Sequence, residues 1–210
     1  MLEKLPDAVG HALRGQRSGL DHTLFQRVDL RQGMGALQVR SLAFEDHTPL
    51  PMNCTADGPG ISPPLQWIGV PARADSVIVV VEDADSPTPH PLVHAILAGL
   101  PGEDGSLPEG AMNKAEADPD AQLGRNSFLG VGWLPPDPPP GHGVHRYVFQ
   151  VFALAPGSAL PATPGRDAVL QALEQYAIAS GCLIGTYERP DGSVREPAAG
   201  TGLAGGVLPS

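Results

Sequence analysis

Apolar residues recur along the chain in short runs that prolines and glycines separate. The runs VIVVV (77–81) and LVHAILA (92–98) are apolar on both faces and too short for typical helices, so they predict central strands that are covered on each side. The run HRYVFQVFAL (145–154) is the longest strand signal, and its two-residue period places His145 and Tyr147 on one face. The pattern predicts a mainly β fold.

Helical periodicity is found near both ends of the chain. Apolar side chains recur at three- and four-residue spacing within residues 2–14, which predicts a short amphipathic helix. The positions are Leu2, Leu5, Val9 and Leu13. The apolar stripe of this helix would dock either on its own domain or on a second subunit. A second helical pattern covers residues 166–179, and the pattern of residues 182–187 is extended again.

These patterns divide the chain into three parts. Residues 1–36 form an N-terminal helical extension, and residues 37–189 form the β domain, which begins with a strand signal at 37–44. Residues 190–210 lack periodicity and are rich in Gly, Pro and Ala, so we expect a flexible C-terminal tail. The expected architecture is an antiparallel β-sandwich with a few peripheral helices.

Composition and charge exclude several classes of function. The 210 residues include 26 Gly and 24 Pro, which suits one turn-rich domain. With 13 basic and 23 acidic residues the net charge is -10, so we expect no nucleic-acid partner. Leader and membrane-spanning patterns are lacking, and Cys54 and Cys182 show no metal-ligand spacing. We therefore expect a cytoplasmic protein with no stable membrane insertion and no cofactor.

The first candidate cluster is the segment from residue 79 to residue 101. A buried strand ends there by delivering Glu82, Asp83 and Asp85, and the next strand carries His94 among apolar neighbours. Motifs typical of P-loop, dinucleotide-binding, zinc-protease and α/β-hydrolase proteins are absent from the sequence. The chemistry therefore has to come from isolated polar residues at strand ends.

The second candidate cluster is the segment from residue 135 to residue 149. A proline-rich loop that contains Pro138 leads into His145 and Tyr147, and prolines hold such a loop with little conformational freedom to lose. His142 lies three residues before His145, but in a glycine loop that spacing does not impose convergence of the two rings. A preformed pocket wall is expected here.

The two clusters together favour a small pocket for an oxyanion. His94, His145 and Tyr147 would supply donors, while Asp83 would accept a hydrogen bond from one imidazole or from the backbone. Two other interpretations remain open. The aspartates would cap a turn around a structural core histidine, or His94, His145 and an aspartate would bind a metal, for which no close ligand spacing exists.

Three segments resemble the phosphatidylethanolamine-binding protein family, also called Raf-kinase-inhibitor-like proteins, and specifically its bacterial branch. The segments are Asp83–Pro87, His94–Pro101, and Pro138 through Tyr147 with its HRY sequence. Supporting stretches are ISPPLQW (61–67) and LIGTYER (183–189). The resemblance covers roughly residues 37 to 189.

The resemblance implies a β-sandwich with an anion-binding pocket at one end. The implied ligand-binding positions are Asp83, Asp85, His94, Pro138, His145 and Tyr147. Members of the family are described as binding phosphorylated or phospholipid head groups and, in some cases, as inhibiting kinases or proteases. The implied protein is not an enzyme, is often a homodimer and binds a small phosphorylated or anionic ligand.

The chain departs from the family pattern at Ala84, where a proline is usual, and at Ala95, where a tryptophan is usual. Loss of the aromatic side chain is expected to reshape the pocket wall. Two further functions stay open. One is a weak phosphoester or ester hydrolase with His94 or His145 as general base, and the other is a protein-interaction inhibitor of a kinase or protease.

Overall fold

The fold is described from a computed structural model, which covers residues 6–28, 35–114 and 122–189. Leu2 and Leu5, and the tail at 190–210, lie outside these described residues. The described helices are α1 (Asp7–Leu13), α2 (Leu24–Arg27) and α3 (Arg166–Tyr176), with 3-10 turns at Leu20–His22 and Met52–Cys54. The described strands are β1 (Gly35–Ala36), β2 (Gln38–Arg40), β3 (Thr48–Pro49), β4 (Leu65–Ile68), β5 (Ser76–Asp83), β6 (Leu92–Pro101), β7 (Gly105–Leu107), β8 (Gln122–Leu123), β9 (His145–Leu154) and β10 (Ala177–Tyr187).

The strands form two sheets, and the predicted β-sandwich is confirmed. The large sheet has the order β1-β10-β9-β5-β6-β8, with β3 also paired to β10, and the small sheet has the order β2-β4-β7. All pairings are antiparallel except the short ones that β1 and β3 make with β10. The large sheet is therefore mixed at the edge formed by β10.

Both faces of the large sheet are covered, as the unbroken apolar runs predict. On one face Val79 and Phe149 pack with Trp67 of the small sheet, in the core between the two sheets. On the other face Ile78 and Phe152 pack with helix residues. The helix side chains in that second core are Leu24 and Val28 from the N-terminal segment and Val169 and Leu173 from α3. Central strands without a solvent-facing side require such double coverage.

Two element boundaries differ from the pattern. The strand expected over 37–44 is limited to β2, because the Ser41 hydroxyl donates to the Pro64 carbonyl and accepts the amide of Ala43, which turns the chain. The helical pattern of 166–179 ends at Tyr176, because the next residues pair with β9 as the start of β10. Pairing in the sheet overrides helical periodicity there.

The N-terminal segment packs on the β domain. Helix α1 approaches the proline loop through Gly10, at which an added Cβ would lie 1.9 Å from the carbonyl oxygen of Pro140. Val9, from the predicted apolar stripe, is 37% exposed. Leu13, from the same stripe, is half-buried, and α1 docks through Gly10, because the close approach of two backbones requires the glycine. Within the described ranges, no helix is long and apolar enough to cross a membrane.

Candidate functional site

A cavity of about 170 Å³ lies at one end of the large sheet. Three strand ends meet there, since Asp83 at the end of β5 pairs with Leu92 at the start of β6 and with Tyr147 near the start of β9. The antiparallel register therefore brings together residues that are far apart in the sequence. The polar side chains in the lining are Asp83, His94, Asp137 and His145, and the apolar ones are Leu92, Phe128, Leu134 and four prolines that include Pro138.

Asp83 holds both a turn and a histidine. Its Oδ1 accepts the backbone amide of Asp85 at 2.8 Å, which closes the turn after β5. Its Oδ2 lies 2.7 Å from Nδ1 of His145, and both side chains are almost fully buried. The turn-capping and histidine-orienting interpretations of Asp83 are thus both true of the same carboxylate.

His145 differs from the expectation for a ligand-facing donor. Its ring lines the cavity, but Nδ1 contacts Asp83 and Nε2 lies 2.6 Å from Nδ1 of His142. Neither ring nitrogen remains to meet a ligand in this arrangement. His145 was expected to supply a donor to the ligand, but its second ring nitrogen is occupied by His142.

His142 is the residue that the sequence spacing did not identify. Gly141 and Gly143 on its two sides have φ angles of 76° and 94°, a region that suits glycine, and they turn His142 back toward His145. Nε2 of His142 contacts the carbonyl oxygen of Leu13 at 2.9 Å. Burial and the neighbouring His145 lower the pKa of His142 below its usual range.

His94 has one ring nitrogen without a partner. Its Nδ1 donates to the Leu134 carbonyl at 2.7 Å, so the neutral ring carries its proton on Nδ1. Its Nε2 is buried and lacks a hydrogen-bond partner among the described residues. Burial lowers the pKa of His94, so the ring is neutral at pH 7. Nε2 is therefore a lone-pair acceptor that becomes a donor if the ring gains a proton.

Tyr147 lies against both histidines without lining the cavity. Its ring contacts His94 edge-on at 5.1 Å and His145 in a stacked arrangement at 6.4 Å between centroids. The hydroxyl is buried and has no partner among the described residues. Burial raises the pKa of Tyr147 well above its usual value, so the phenol stays protonated.

Asp85 lies outside the cavity lining. Its carboxylate accepts Nε and Nη2 of Arg146, each at 2.7 Å, and contacts Arg17 at 3.0 Å. Despite burial, these guanidinium groups hold the pKa of Asp85 below its usual range. Asp85 therefore anchors the N-terminal segment through Arg17 and does not line the cavity.

The proline wall is fixed by Arg189. Nη1 of Arg189 contacts Asp137 at 2.5 Å and the Pro138 carbonyl at 3.1 Å, while Nε and Nη2 bind Asp57. Tyr187 also donates to Asp57. Both carboxylates in the cavity lining thus have a cationic or imidazole partner, Asp137 in Arg189 and Asp83 in His145. Both carboxylates are therefore engaged within the protein.

Two other sequence expectations concern this region. Ala95 packs in the core between the sheets and does not line the cavity. The missing aromatic side chain therefore changes the packing of that core and not the cavity wall. Over the described ranges, no group of three or more His, Cys, Asp and Glu residues converges in a way that could hold a metal ion.

Two packed sheets with a preformed cavity at the strand ends define a β-sandwich of the binding-protein class. The phosphatidylethanolamine-binding protein family model matches residues 40–188. The UPF0098 protein of Methanothermobacter thermautotrophicus is 33% identical over 155 residues, which cover 73% of this chain and 99% of that protein. The chain therefore belongs to the phosphatidylethanolamine-binding protein family, and the resemblance found in the sequence is confirmed.

Solved structures agree with this assignment. A phosphatidylethanolamine-binding protein homologue from Chlamydia trachomatis superimposes with a TM-score of 0.66 at 33% identity, covering 74% of this chain and 99% of the other. YbcL of Escherichia coli, described as a member of the mammalian family, gives a TM-score of 0.67 at 28% identity, with 73% and 98% covered. These matches confirm the β-rich fold.

Proposed function

We propose that the protein binds a phosphoryl or related anionic group in the cavity at the end of β5, β6 and β9, without chemical turnover. The observation that carries this proposal is Nε2 of His94, a buried ring nitrogen of a cavity-lining side chain that has no hydrogen-bond partner among the described residues. Buried polar atoms in folded proteins are nearly always hydrogen-bonded, so an unpaired one in a cavity wall favours a ligand partner.

Charge supports an anion in spite of two carboxylates in the lining. Asp137 pairs with Arg189, and Asp83 accepts hydrogen bonds from His145 and from the amide of Asp85, so both carboxylates are engaged within the protein. A phosphate that carries a proton donates it to neutral His94, and a fully ionised one accepts a proton from the His94 imidazolium. The phosphate–His94 pair contains the same number of protons in both states, and Nε2 of His94 takes part in the hydrogen bond in each of them.

A hydrolase is less well supported. No serine, threonine, cysteine or lysine is among the residues that line the cavity, so the lining supplies no nucleophile of those types. Of the two candidate general bases, His145 has both ring nitrogens engaged by Asp83 and His142. Nε2 of His94 has no partner among the described residues, but the described cavity lining offers it no hydroxyl, thiol or amine nucleophile to activate. Binding therefore remains the function that the geometry favours.

Calorimetry with inorganic phosphate and with phosphoethanolamine tests the proposal. The variant His94→Asn keeps an amide near the position of Nδ1, so it retains a donor for the Leu134 carbonyl but lacks Nε2. A hydrogen bond to a charged group contributes about 1.5–3 kcal/mol, so we expect affinity to fall at least about tenfold. His90→Asn, at an exposed histidine outside the cavity lining, is the matched control and is expected to bind as the wild type does. Equal affinity in the wild type and His94→Asn would refute this site.

A further inference from the structure

Most of the cavity surface is apolar. Leu92, Phe128, Leu134 and four prolines line it, and we call these residues the apolar wall. Proline has no amide N–H, and the amides of Phe128 and Leu134 donate to Asn126 and to the carbonyl of His94. Most of this wall therefore offers an anion no hydrogen-bond donor.

The polar part of the lining is small, and most of it is engaged. Asp83 accepts a hydrogen bond from His145, and Asp137 accepts one from Arg189. Among the buried side-chain atoms of the described lining, only Nε2 of His94 lacks a partner. A small ion with several charged oxygens would find a buried side-chain donor for one of them only. The lining instead fits a ligand with one anionic end and an apolar body.

Phe128 lies at the mouth of the cavity. Its side chain lines the cavity and is 53% exposed, whereas His94 is 3% exposed. The unpaired nitrogen is therefore at the closed end, and the aromatic ring is at the end that solvent reaches. A group attached to an anion at His94 extends toward Phe128.

The loop that carries Phe128 is held by the buried side chain of Asn126. Oδ1 of Asn126 accepts the amides of Phe128 and Gly130 at 3.1 and 3.0 Å, and Nδ2 donates to the Gly132 carbonyl at 3.1 Å. Leu129 has a φ angle of 61°, a left-handed conformation that is strained for a residue with a Cβ. Such strain persists only where surrounding contacts hold it, and it clusters at functional sites.

The same loop is tied to the strand that carries His94. The amide of Ser127 donates to the Val93 carbonyl at 3.0 Å, and the amide of Val93 donates to the Ser127 hydroxyl at 2.7 Å. Val93 directly precedes His94 on β6, so these two bonds set the position of Phe128 relative to the unpaired nitrogen. A mouth fixed in this way loses little conformational freedom when a ligand binds.

The size of the cavity suits a ring. An apolar cavity of about 150 Å³ takes up one benzene molecule. The cavity here has a volume of about 170 Å³ and reaches solvent beside Phe128. It therefore accommodates a six-membered ring and a phosphoryl group together when part of the ring lies at the mouth.

We infer that the cavity selects phosphomonoesters whose organic group is an apolar ring, with the phosphoryl group at Nε2 of His94 and the ring against Phe128 and the rest of the apolar wall. This inference rests on the proposed function for the phosphoryl group and goes beyond it for the organic group. Ethanolamine is a poor organic group for this cavity, because its ammonium would exchange water for the apolar wall.

Calorimetry with phenyl phosphate and methyl phosphate tests the inference, because the two monoesters share the anionic group and differ in the apolar body. We expect the wild type to bind phenyl phosphate at least about tenfold more tightly, since the ring removes more apolar surface from water. Phosphoethanolamine should bind no more tightly than methyl phosphate. Equal affinity for phenyl phosphate and methyl phosphate would overturn the inference.

Phe128→Ala removes the aromatic part of the wall. It should weaken phenyl phosphate binding about three- to tenfold and leave methyl phosphate affinity within about twofold of the wild type. Leu129→Ala is the matched control, because Leu129 lies in the same loop, is 81% exposed and does not line the cavity. It should bind both esters as the wild type does. Unchanged affinity of Phe128→Ala for phenyl phosphate would also overturn the inference.

Phenol, which carries the ring without the phosphoryl group, separates this inference from the proposed function. If both esters bind equally and His94→Asn weakens both, the proposed function stands and the ring preference is wrong. If phenol binds and Phe128→Ala weakens its binding while neither ester binds, the ring preference stands and the phosphoryl group is wrong. If none of the three probes binds, both proposals are wrong.

Discussion

Glu82 and Asp83 are neighbours on β5, but their carboxylates serve opposite faces of the large sheet. On the helix side, Glu82 is fully buried and both of its oxygens have partners in Arg166, Gln150 and the amide of Leu24. On the other side, Asp83 lies beside His94 and Tyr147, each of which has a buried polar atom that lacks a partner within the described part of the chain. Alternation along the strand separates the two environments.

The difference distinguishes a structural polar cluster from a binding site. The Glu82 cluster ties the N-terminal segment and α3 to the sheet, and both oxygens of its carboxylate accept hydrogen bonds within the protein. The cavity side has complete pairing for its charged groups but leaves neutral polar atoms open. Satisfied charges with unsatisfied neutral groups are what a site for a small polar ligand needs before the ligand arrives.

The largest expected effect on stability is at Glu82, on the helix side of the large sheet, where both carboxylate oxygens have partners. Glu82→Gln removes the charge that Arg166 and two further donors depend on, and breaking such a buried pair costs about 3–5 kcal/mol of unfolding free energy. Denaturant unfolding measures this loss. The exposed Glu103→Gln serves as control and is expected to change stability by less than about 0.5 kcal/mol. A loss below about 1 kcal/mol in Glu82→Gln would contradict the structural assignment of this cluster.

The smallest expected effect on stability is at Tyr147, on the cavity side of the large sheet. Tyr147→Phe removes a hydroxyl that has no partner, so we expect the unfolding free energy to stay within about 0.5 kcal/mol of the wild type. Tyr187→Phe is the matched comparison, because the Tyr187 hydroxyl donates to Asp57, and its loss is expected to cost about 1–2 kcal/mol. Equal losses in the two variants would show that the Tyr147 hydroxyl is already satisfied.

The central strands could be predicted from the sequence because a short run that is apolar on both faces is typical of a buried strand. The runs around Val79 and Ile96 are apolar on both faces, and the run from His145 to Leu154 becomes β9 with the same bounds. Polar residues at the ends of such strands meet at one edge once the register is antiparallel. His94 and His145 therefore reach one cavity from positions about fifty residues apart.

The contacts of the cavity could not be predicted in the same way. The meeting of His142 with His145 depends on the positive φ angles of two glycines, and the docking of α1 depends on the backbone of Pro140, which is distant in the sequence. Neither leaves a periodic signal. The carboxylate of Asp85 pairs with Arg17 and Arg146, which come from two separate segments of the chain. This pairing also leaves no periodic signal in the sequence.

The most direct test of the central claim is the protonation of the His94 ring with and without phosphate. Burial lowers the pKa of His94, so Nε2 should be unprotonated at pH 7 in the absence of phosphate, and a bound anion should raise that pKa and bring a proton onto or against Nε2. The complex then holds one proton more than dianionic phosphate and neutral His94 hold separately, so phosphate affinity should increase as pH falls from alkaline values toward neutral. Ring-nitrogen resonance spectra should show Nε2 moving from the unprotonated toward the protonated position as phosphate is added. An Nε2 signal that does not move under saturating phosphate would contradict the account.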